Sequence, residues 1–170
     1  KVRQGLTPQE FTAHYRQHLP AVMRFLARRV EPLWVEDLCS EVFLIAYQKR
    51  HQAPTDYELA WLYSIGGHLI ANHRRRQHTA TKLIAALSMP RFAPSAESLA
   101  VRDETLAKAW AGLNPNEQEV LALVALDELS VTEAAKVLGI TANATSVRLN
   151  RASGGGRADG RRGAAKRMRG

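Results

Sequence analysis

The sequence predicts an all-α chain made of two small helical domains joined by a flexible linker, the second containing a helix-turn-helix. Three observations lead there. Apolar residues recur three and four positions apart in nearly every patterned segment, no stretch alternates with a period of two, and prolines and capping residues stand where successive helices would begin. With 170 residues and 45% hydrophobic content, the chain can bury one ordinary core or two small ones.

The first helix is expected from Thr7 to Arg29, with Pro8 in its first turn and Phe11, Tyr15, Leu19, Val22, Phe25 and Leu26 on one face. Pro20 should bend it or divide it in two. After the break Val30-Glu31-Pro32, a second helix runs from about Trp34 to Arg50 with Leu38, Val42, Phe43, Ile45 and Ala46 inward. The loop Gln52 to Asp56 leads to a third, Tyr57 to about Arg76, presenting Trp61, Leu62, Ile65, Leu69 and Ile70. Residues 1–76 are thus read as one domain. From Gln77 to about Arg102 the period weakens and Pro90 and Pro94 interrupt it, which reads as a linker with a short helical turn near Leu83 to Leu87. The second domain, residues 103–152, opens near Asp103 with a helix ending at Gly112. Asn114-Pro115-Asn116-Glu117 supplies an N-cap, a first-turn proline and a capping-box glutamate. Ser130-Val131-Thr132-Glu133 repeats the box and opens a helix that ends at Gly139.

Within Thr132 to Arg151, Ala135 is small where two helices must pass closely, and Gly139 suits the left-handed turn between them. Leu138 and Ile140 flank that turn as core anchors. Thr141 can cap a second helix, Ala142 to about Ala152, whose outer positions Asn143, Ser146, Arg148, Asn150 and Arg151 are polar or cationic. Side chains near such a helix start can reach base edges, and arginines further along can hold phosphates. Any small bundle can contain an Ala-x3-Gly turn; the two capping signals and the basic second helix together favour DNA reading. Glu117, Glu119, Asp127 and Glu128, on the preceding helix, are expected to face a protein partner instead.

The net charge of +8 is unevenly spread. Residues 1–150 carry 17 basic against 15 acidic groups, and residues 151–170 carry 7 against 1. DNA affinity in the body must therefore come from local clusters, chiefly Arg74-Arg75-Arg76 and Arg148 with Arg151. The single Cys39 excludes an intramolecular disulfide and a multi-cysteine zinc site, and fits a reducing cytoplasm. No apolar run reaches membrane-spanning length, and Lys1 to Arg16 lacks the apolar core of a signal peptide. A cytoplasmic, non-enzymatic protein without cofactor or membrane insertion is expected.

Two further segments carry information. Trp34 to Phe43 mixes carboxylates with large apolar groups, which suits docking on a protein and equally a solvated acidic edge beside a core stripe. Asn72-His73-Arg74-Arg75-Arg76 ends a helix with more positive charge than its dipole requires. Taken in order, the chain resembles an extracytoplasmic-function sigma factor. Glu36-Asp37-Leu38 with Glu41-Val42-Phe43 resembles the family's polymerase-binding helix, and Glu58 to Arg76 its promoter-melting, minus-ten helix. Leu113-Asn114-Pro115 through Leu121 looks like the opening of the second domain, and Leu129 to Ala152 is similar to its minus-thirty-five reader.

That resemblance implies that Asp37, Leu38, Glu41, Val42 and Phe43 bind core RNA polymerase through its beta and beta-prime subunits. It implies that Trp61 and the loop before it capture unpaired minus-ten bases, and that Asn72, Arg74, Arg75 and Arg76 hold the duplex upstream. Thr141, Asn143, Ser146, Arg148 and Arg151 would enter the minus-thirty-five groove. Promoter DNA and an anti-sigma factor complete the implied partners. Four departures stand out. His68 replaces a common asparagine, Gly66-Gly67 costs about 1 kcal/mol of helix propensity per glycine, and Thr145 brings a hydroxyl needing a partner to a core position. After Ala152, Ser153-Gly154-Gly155-Gly156 should stop the helix and leave residues 153–170 as a disordered basic tail.

Two other functional classes fit the sequence less well. A dimeric helix-turn-helix regulator would need a dimerisation helix, where the first domain has docking carboxylates and a basic helix. A metal-dependent enzyme is prompted only by His14 and His18 with Glu10 one turn earlier, and no further ligand pattern supports it.

Overall fold

A computed structural model describes residues 6–77 and 91–167, with side chains through Gly154. The described residues contain nine α-helices and no strand. Helix α1 spans Pro8–Tyr15 and α2 Leu19–Ala27, separated by a 3-10 turn at Arg16–His18. Pro20 in the first turn of α2 explains the division, because it offers no N–H to a preceding helix. A capping box between Thr7 and Glu10 starts α1. Helix α3 is Pro32–Gln48, beginning two residues earlier than expected because Pro32 suits the first helical position. After a 3-10 turn at Arg50–Gln52 comes α4, Glu58–Arg76.

Helices α2, α3 and α4 bury Val22, Phe25, Leu26, Leu38, Val42, Leu62 and Ile70 against one another, and α1 closes the end with Phe11 and Tyr15, stacked at 4.5 Å. The Gly66-Gly67 pair has a packing role. A Cβ at Gly66 would lie 3.2 Å from the Phe25 ring, and one at Gly67 3.3 Å from the Phe92 ring. The propensity lost at each glycine lets an aromatic ring lie directly on the helix.

The remaining helices are α5 (Ala96–Ala100), α6 (Glu104–Ala111), α7 (Pro115–Leu121), α8 (Val131–Leu138) and α9 (Ala142–Arg167). Both expected capping boxes form, Asn114 with Glu117 and Ser130 with Glu133. Between α7 and α8 the helix widens into a π-turn at Ala122–Leu126. Trp110 anchors a small core with Leu99, Ala107 and Ala122, its indole N–H donating to the Pro94 carbonyl at 2.9 Å.

The expected linker is only partly one. The turn near Leu83 to Leu87 lies outside the described residues, but Phe92, Ala93 and Pro94 are buried and α5 packs on α6. Phe92 is an aromatic with a seat on Gly67, which local periodicity cannot reveal. The helix also does not stop at Ser153; α9 continues to Arg167. Propagating an existing helix needs no new nucleus, and the alanines and arginines among these glycines favour it.

The two groups of helices share a core. Leu123, Leu129, Ala134 and Val137 belong to the same buried cluster as α2, α3 and α4, and α8 packs along α4. Burial of a leucine or valine is worth about 1.5–3 kcal/mol, so this is more than a glancing contact. Charge crosses the junction as well. The Arg29 and Asp127 side chains are fully buried and paired through two hydrogen bonds, while Arg28 donates to the same carboxylate at 3.0 Å. Glu119 accepts from the Phe92 and Ala93 amides at 2.9 and 3.0 Å. Arg74 donates to the carbonyls of Ala93 and Arg29, each at 2.9 Å. Glu119 and Asp127, expected to face a partner, therefore face the chain itself; Glu117 closes its capping box, and Glu128 is exposed.

Burial raises the Glu119 carboxyl above its ordinary value against its two amide donors, and depresses Arg74 to about 10. A carboxyl raised in the folded chain binds its proton more tightly there than when unfolded. Its contribution to stability is fullest below the unfolded pKa and is lost as pH rises through the folded one. Denaturant unfolding at a series of pH values should therefore show Glu119→Gln gaining on the wild type with rising pH across that window. Glu119→Ala should lose about 1–3 kcal/mol by leaving two buried amides unmatched. Two glycines should respond to substitution in opposite directions. Gly139 has φ +67, so Gly139→Ala should cost about 1–2 kcal/mol although nothing crowds the new Cβ. Gly154 lies within α9 in open space, so Gly154→Ala should gain up to about 1 kcal/mol, both read from thermal melts.

Candidate nucleic-acid interface

Helix α8, the turn at Gly139 and helix α9 form a helix-turn-helix. Ala134 and Ala135 are buried where the helices cross, and the Ile140 amide donates to the Ala135 carbonyl at 3.1 Å to close the turn. Thr141 caps α9, its Oγ1 accepting from the Ala144 amide at 3.1 Å. Thr145 is fully buried, and its hydroxyl finds its partner in the Thr141 carbonyl at 2.9 Å. Thr141, Asn143, Asn150 and Arg151 are exposed, with Ser146 and Arg148 half-buried beside them. The expected reading residues thus lie at or near the surface of a capped helix, whose first-turn amides and polar side chains can meet an anionic backbone and base edges.

The α4 set divides. Arg75 and Arg76 are exposed, and Arg75 is hydrogen-bonded to the Asn72 side chain. Arg74 is turned inward onto the carbonyls already described, so its guanidinium supports the junction and is not free for a phosphate as expected. Three consecutive residues on a helix point about 100° apart, so three adjacent arginines cannot all share one face. Trp61 is half-buried, edge-on to Tyr15 at 6.1 Å. With Pro54, Asp56, Tyr57, Ala60 and Ser64 it lines a cavity of about 140 Å³ in front of α4, bounded on its far side by Lys136 of α8. Tyr57 holds the left-handed conformation, φ 60, and the Lys136 ammonium lies 4.6 Å from its ring centre.

On α3, Asp37 and Glu41 are exposed and Phe43 is half-buried, but Leu38 and Val42 are core residues 6% and 0% exposed. Those two are packed in the core and hold α3 with Asp37 and Glu41 turned outward. Leu33 and Leu44, 78% and 55% exposed, were missed as surface candidates. The spacing Leu33, Asp37, Glu41, Leu44 is itself a helical stripe, and it was the available signal. Behind it, Phe43 lines an apolar groove of about 370 Å³ with Phe11, Tyr15, Leu19 and Cys39. Burial pushes the Cys39 thiol up, away from the reactive thiolate.

His14 and His18 meet Glu58 at the start of α4, not Glu10, which is occupied in its capping box. His18 Nε2 lies 3.2 Å from Glu58 Oε2. Among the described residues, no group of histidine, cysteine and carboxylate side chains is arranged to hold a metal ion. No helix among them is long and apolar enough to cross a membrane.

Comparison with known proteins places both halves. Residues 14–79 match Sigma-70 region 2 and residues 103–153 match Sigma-70 region 4. The ECF RNA polymerase sigma factor BldN of Streptomyces coelicolor is 32% identical over 139 residues, 74% of this chain; the chain spans 50% of that relative. The RNA polymerase sigma factor YlaC of Bacillus subtilis is 29% identical over 150 residues, covering 81% of this chain and 84% of that protein. Among solved structures, the sigma factor RpoE of Bartonella quintana, in complex with the anti-sigma factor NepR, aligns with a TM-score of 0.60 at 20% identity, over 85% of this chain and 92% of that one. CnrH, in complex with the cytosolic domain of CnrY, aligns at 0.57 and 22% identity over 86% and 84%. Both structures share the fold. The two region matches together cover more than half of the sequence, with the exposed arginines of α4 in one and the helix-turn-helix in the other, and the chain belongs to the sigma-70 family, in its extracytoplasmic-function group.

Proposed function

We propose that the chain binds core RNA polymerase and directs it to promoters by reading minus-ten and minus-thirty-five DNA. One observation carries the reading: the two family regions coincide with two separate surfaces suited to DNA, Arg75 and Arg76 on α4 and the outer face of α9. The stripe Leu33, Asp37, Glu41, Leu44, flanked by Phe43, docks on the beta-prime and beta subunits. Trp61 and the loop Pro54 to Tyr57 receive an unpaired minus-ten base, where an aromatic wall replaces the stacking lost on melting. Asn72, Arg75 and Arg76 hold the adjoining backbone.

Thr141, Asn143, Ser146, Arg148 and Arg151 enter the minus-thirty-five groove, with the arginines on phosphates. The domain division follows the same assignment, residues 1–76 for region 2 and 103–152 for region 4. The chain makes and breaks no bond; binding free energy opens the strands, and polymerase, in the cytoplasm, performs the chemistry. An anti-sigma protein is a further partner, in line with the complexes in which RpoE and CnrH are found.

Run-off transcription with purified core polymerase over a promoter library tests the reading. Specific start sites are expected; failure to bind core or to direct any start sinks it, and operator binding as a dimer would point to a free-standing regulator instead. Asp37→Ala with Glu41→Ala should weaken core binding at least tenfold without altering the melting temperature, since both carboxylates are exposed. Arg148→Ala and Arg151→Ala should each reduce the slope of log affinity against log salt by about 1, as expected for one lost phosphate contact.

A further inference from the structure

Two cavities lie side by side along α4. The first is the space of about 140 Å³ walled by Trp61 and Tyr57, with Asp56 among its lining residues. The second, of about 280 Å³, is enclosed by Ser64, His68 and Ala71 of α4, by Arg91 and Phe92, and by the C-terminal end of α8 from Lys136. Ser64 and Lys136 line both, so the two spaces adjoin. Small-molecule sites usually occupy about 300–1,000 Å³; each cavity alone falls short of that range, and the two together enter it.

The two ends differ in chemistry. At the first, Trp61 and the 43% exposed Tyr57 offer aromatic faces, and the Asp56 carboxylate can accept from a donor edge. At the second, His68, Arg91 and Lys136 stand exposed on three separate chain segments, and none of the lining residues is acidic. Among the described residues none of these three forms an ion pair, and the Lys136 ammonium rests 4.6 Å from the Tyr57 ring centre. The carbonyl end of α8 opposes an anion there with about half a charge, against the full charges of Arg91 and Lys136 and the ring N–H of His68. Cations gathered on one cleft without a counter-charge are relieved by an anion. Phosphate takes several charge-assisted hydrogen bonds at once and suits both arginine and lysine.

Spacing joins the two ends into one site. Trp61, Ser64 and His68 follow one another on a single stripe of α4. From Trp61 to His68 the helix rises about 10 Å, roughly the reach of a nucleoside diphosphate from its base to its terminal phosphate.

We propose that the adjoining cavities bind a free nucleoside polyphosphate, its base against Trp61 and Tyr57 and its phosphates on Lys136, Arg91 and His68. Guanine, with adjacent N–H donors on one edge, suits the Asp56 carboxylate best. The proposed function places an unpaired minus-ten base in the same Trp61 cavity, so nucleotide and promoter strand exclude each other there. That exclusion rests on the promoter reading; the binding site itself does not.

Calorimetry and thermal melts of the full chain with guanosine diphosphate, at about 0.1 M salt and without divalent metal, test the site, with pyrophosphate and sulfate alongside. Guanosine diphosphate should bind at one site and raise Tm by about 5 °C at hundredfold excess over its Kd. Lys136→Ala, at an exposed position, should weaken guanosine diphosphate and pyrophosphate alike, at least tenfold. Trp61→Ala should weaken guanosine diphosphate about tenfold and leave pyrophosphate binding as it was, which also shows that this variant folds. Absence of binding, or binding that sulfate matches and Lys136→Ala leaves unchanged, overturns the site. A guanosine diphosphate affinity untouched by Trp61→Ala overturns the nucleotide assignment. Guanosine diphosphate should also displace a fluorescent single strand carrying the minus-ten sequence of a promoter found by run-off; a strand that stays bound at saturation overturns the exclusion. Run-off transcription separates the two ideas. Specific starts from a chain that binds no nucleotide leave the promoter reading standing and remove the site. Nucleotide binding with both variant effects, but no start from any promoter, keeps the site and removes the promoter reading together with the exclusion.

Discussion

Arg29 and Asp127 bury opposite charges against each other with no exposure on either side chain, and the placement of the two halves follows from that pair. Each ion gives up several kcal/mol of hydration, and their attraction returns about as much only when the geometry is good and the remaining donors are used. Arg29 meets that condition in part: two of its donors reach Asp127, one of them also reaches the Phe25 carbonyl, and its guanidinium lies 3.8 Å over the Phe25 ring, while its Nε stays unmatched. Such a pair adds little net stability but penalises any arrangement that separates one partner from the other without admitting water. It selects one register for α8 along α4, and apolar burial of Leu123, Leu129 and Val137 then supplies the attraction.

Around that pair the other polar groups fall into place. Glu119 satisfies two amides of a chain segment that has no secondary structure of its own, so Phe92 and Ala93 can be buried without orphaned donors. Arg74 does the same for two carbonyls. A segment that would otherwise be a linker becomes a wedge between the halves. The surfaces left outside are those to which the proposed function gives polymerase and DNA: the Asp37 and Glu41 stripe, Arg75 and Arg76, and the outer face of α9.

Local features were legible in the sequence where one residue has one mechanism. Pro20 divides α1 from α2, Asn114 and Ser130 cap their helices, and Gly139 adopts the left-handed turn. The apolar period turned Leu38 and Val42 inward, as the structure has them, and only the family resemblance also gave them to a docking surface; the exposed stripe of that helix is Leu33, Asp37, Glu41 and Leu44. Partnership between distant residues was not legible at all. Nothing near Arg74 distinguishes it from Arg75, and nothing near Asp127 or Glu119 says that arginines and amides far along the chain await them. Gly66-Gly67 read as a weakness because propensity is local, whereas its reason, two aromatic rings, comes from Phe25 of α2 and from Phe92 inside the expected linker. The length of α9 was misjudged because glycine content was weighed without the helix already running into it.

The buried charges also bear on how freely sigma regions can be exchanged. Domains joined by a solvated tether behave as cassettes, each replaceable by a homologous one. Here Arg28 and Arg29 depend on Asp127, so grafting a foreign region 4 would leave two cations facing whatever that region happens to carry, and would take Glu119 from the segment on which Arg74 rests. A hybrid would inherit both surfaces proposed to read DNA yet lose the register between them. Such an exchange is therefore constrained at positions to which the proposed function gives neither DNA nor polymerase, and Arg29 with Asp127 would have to be exchanged as a unit.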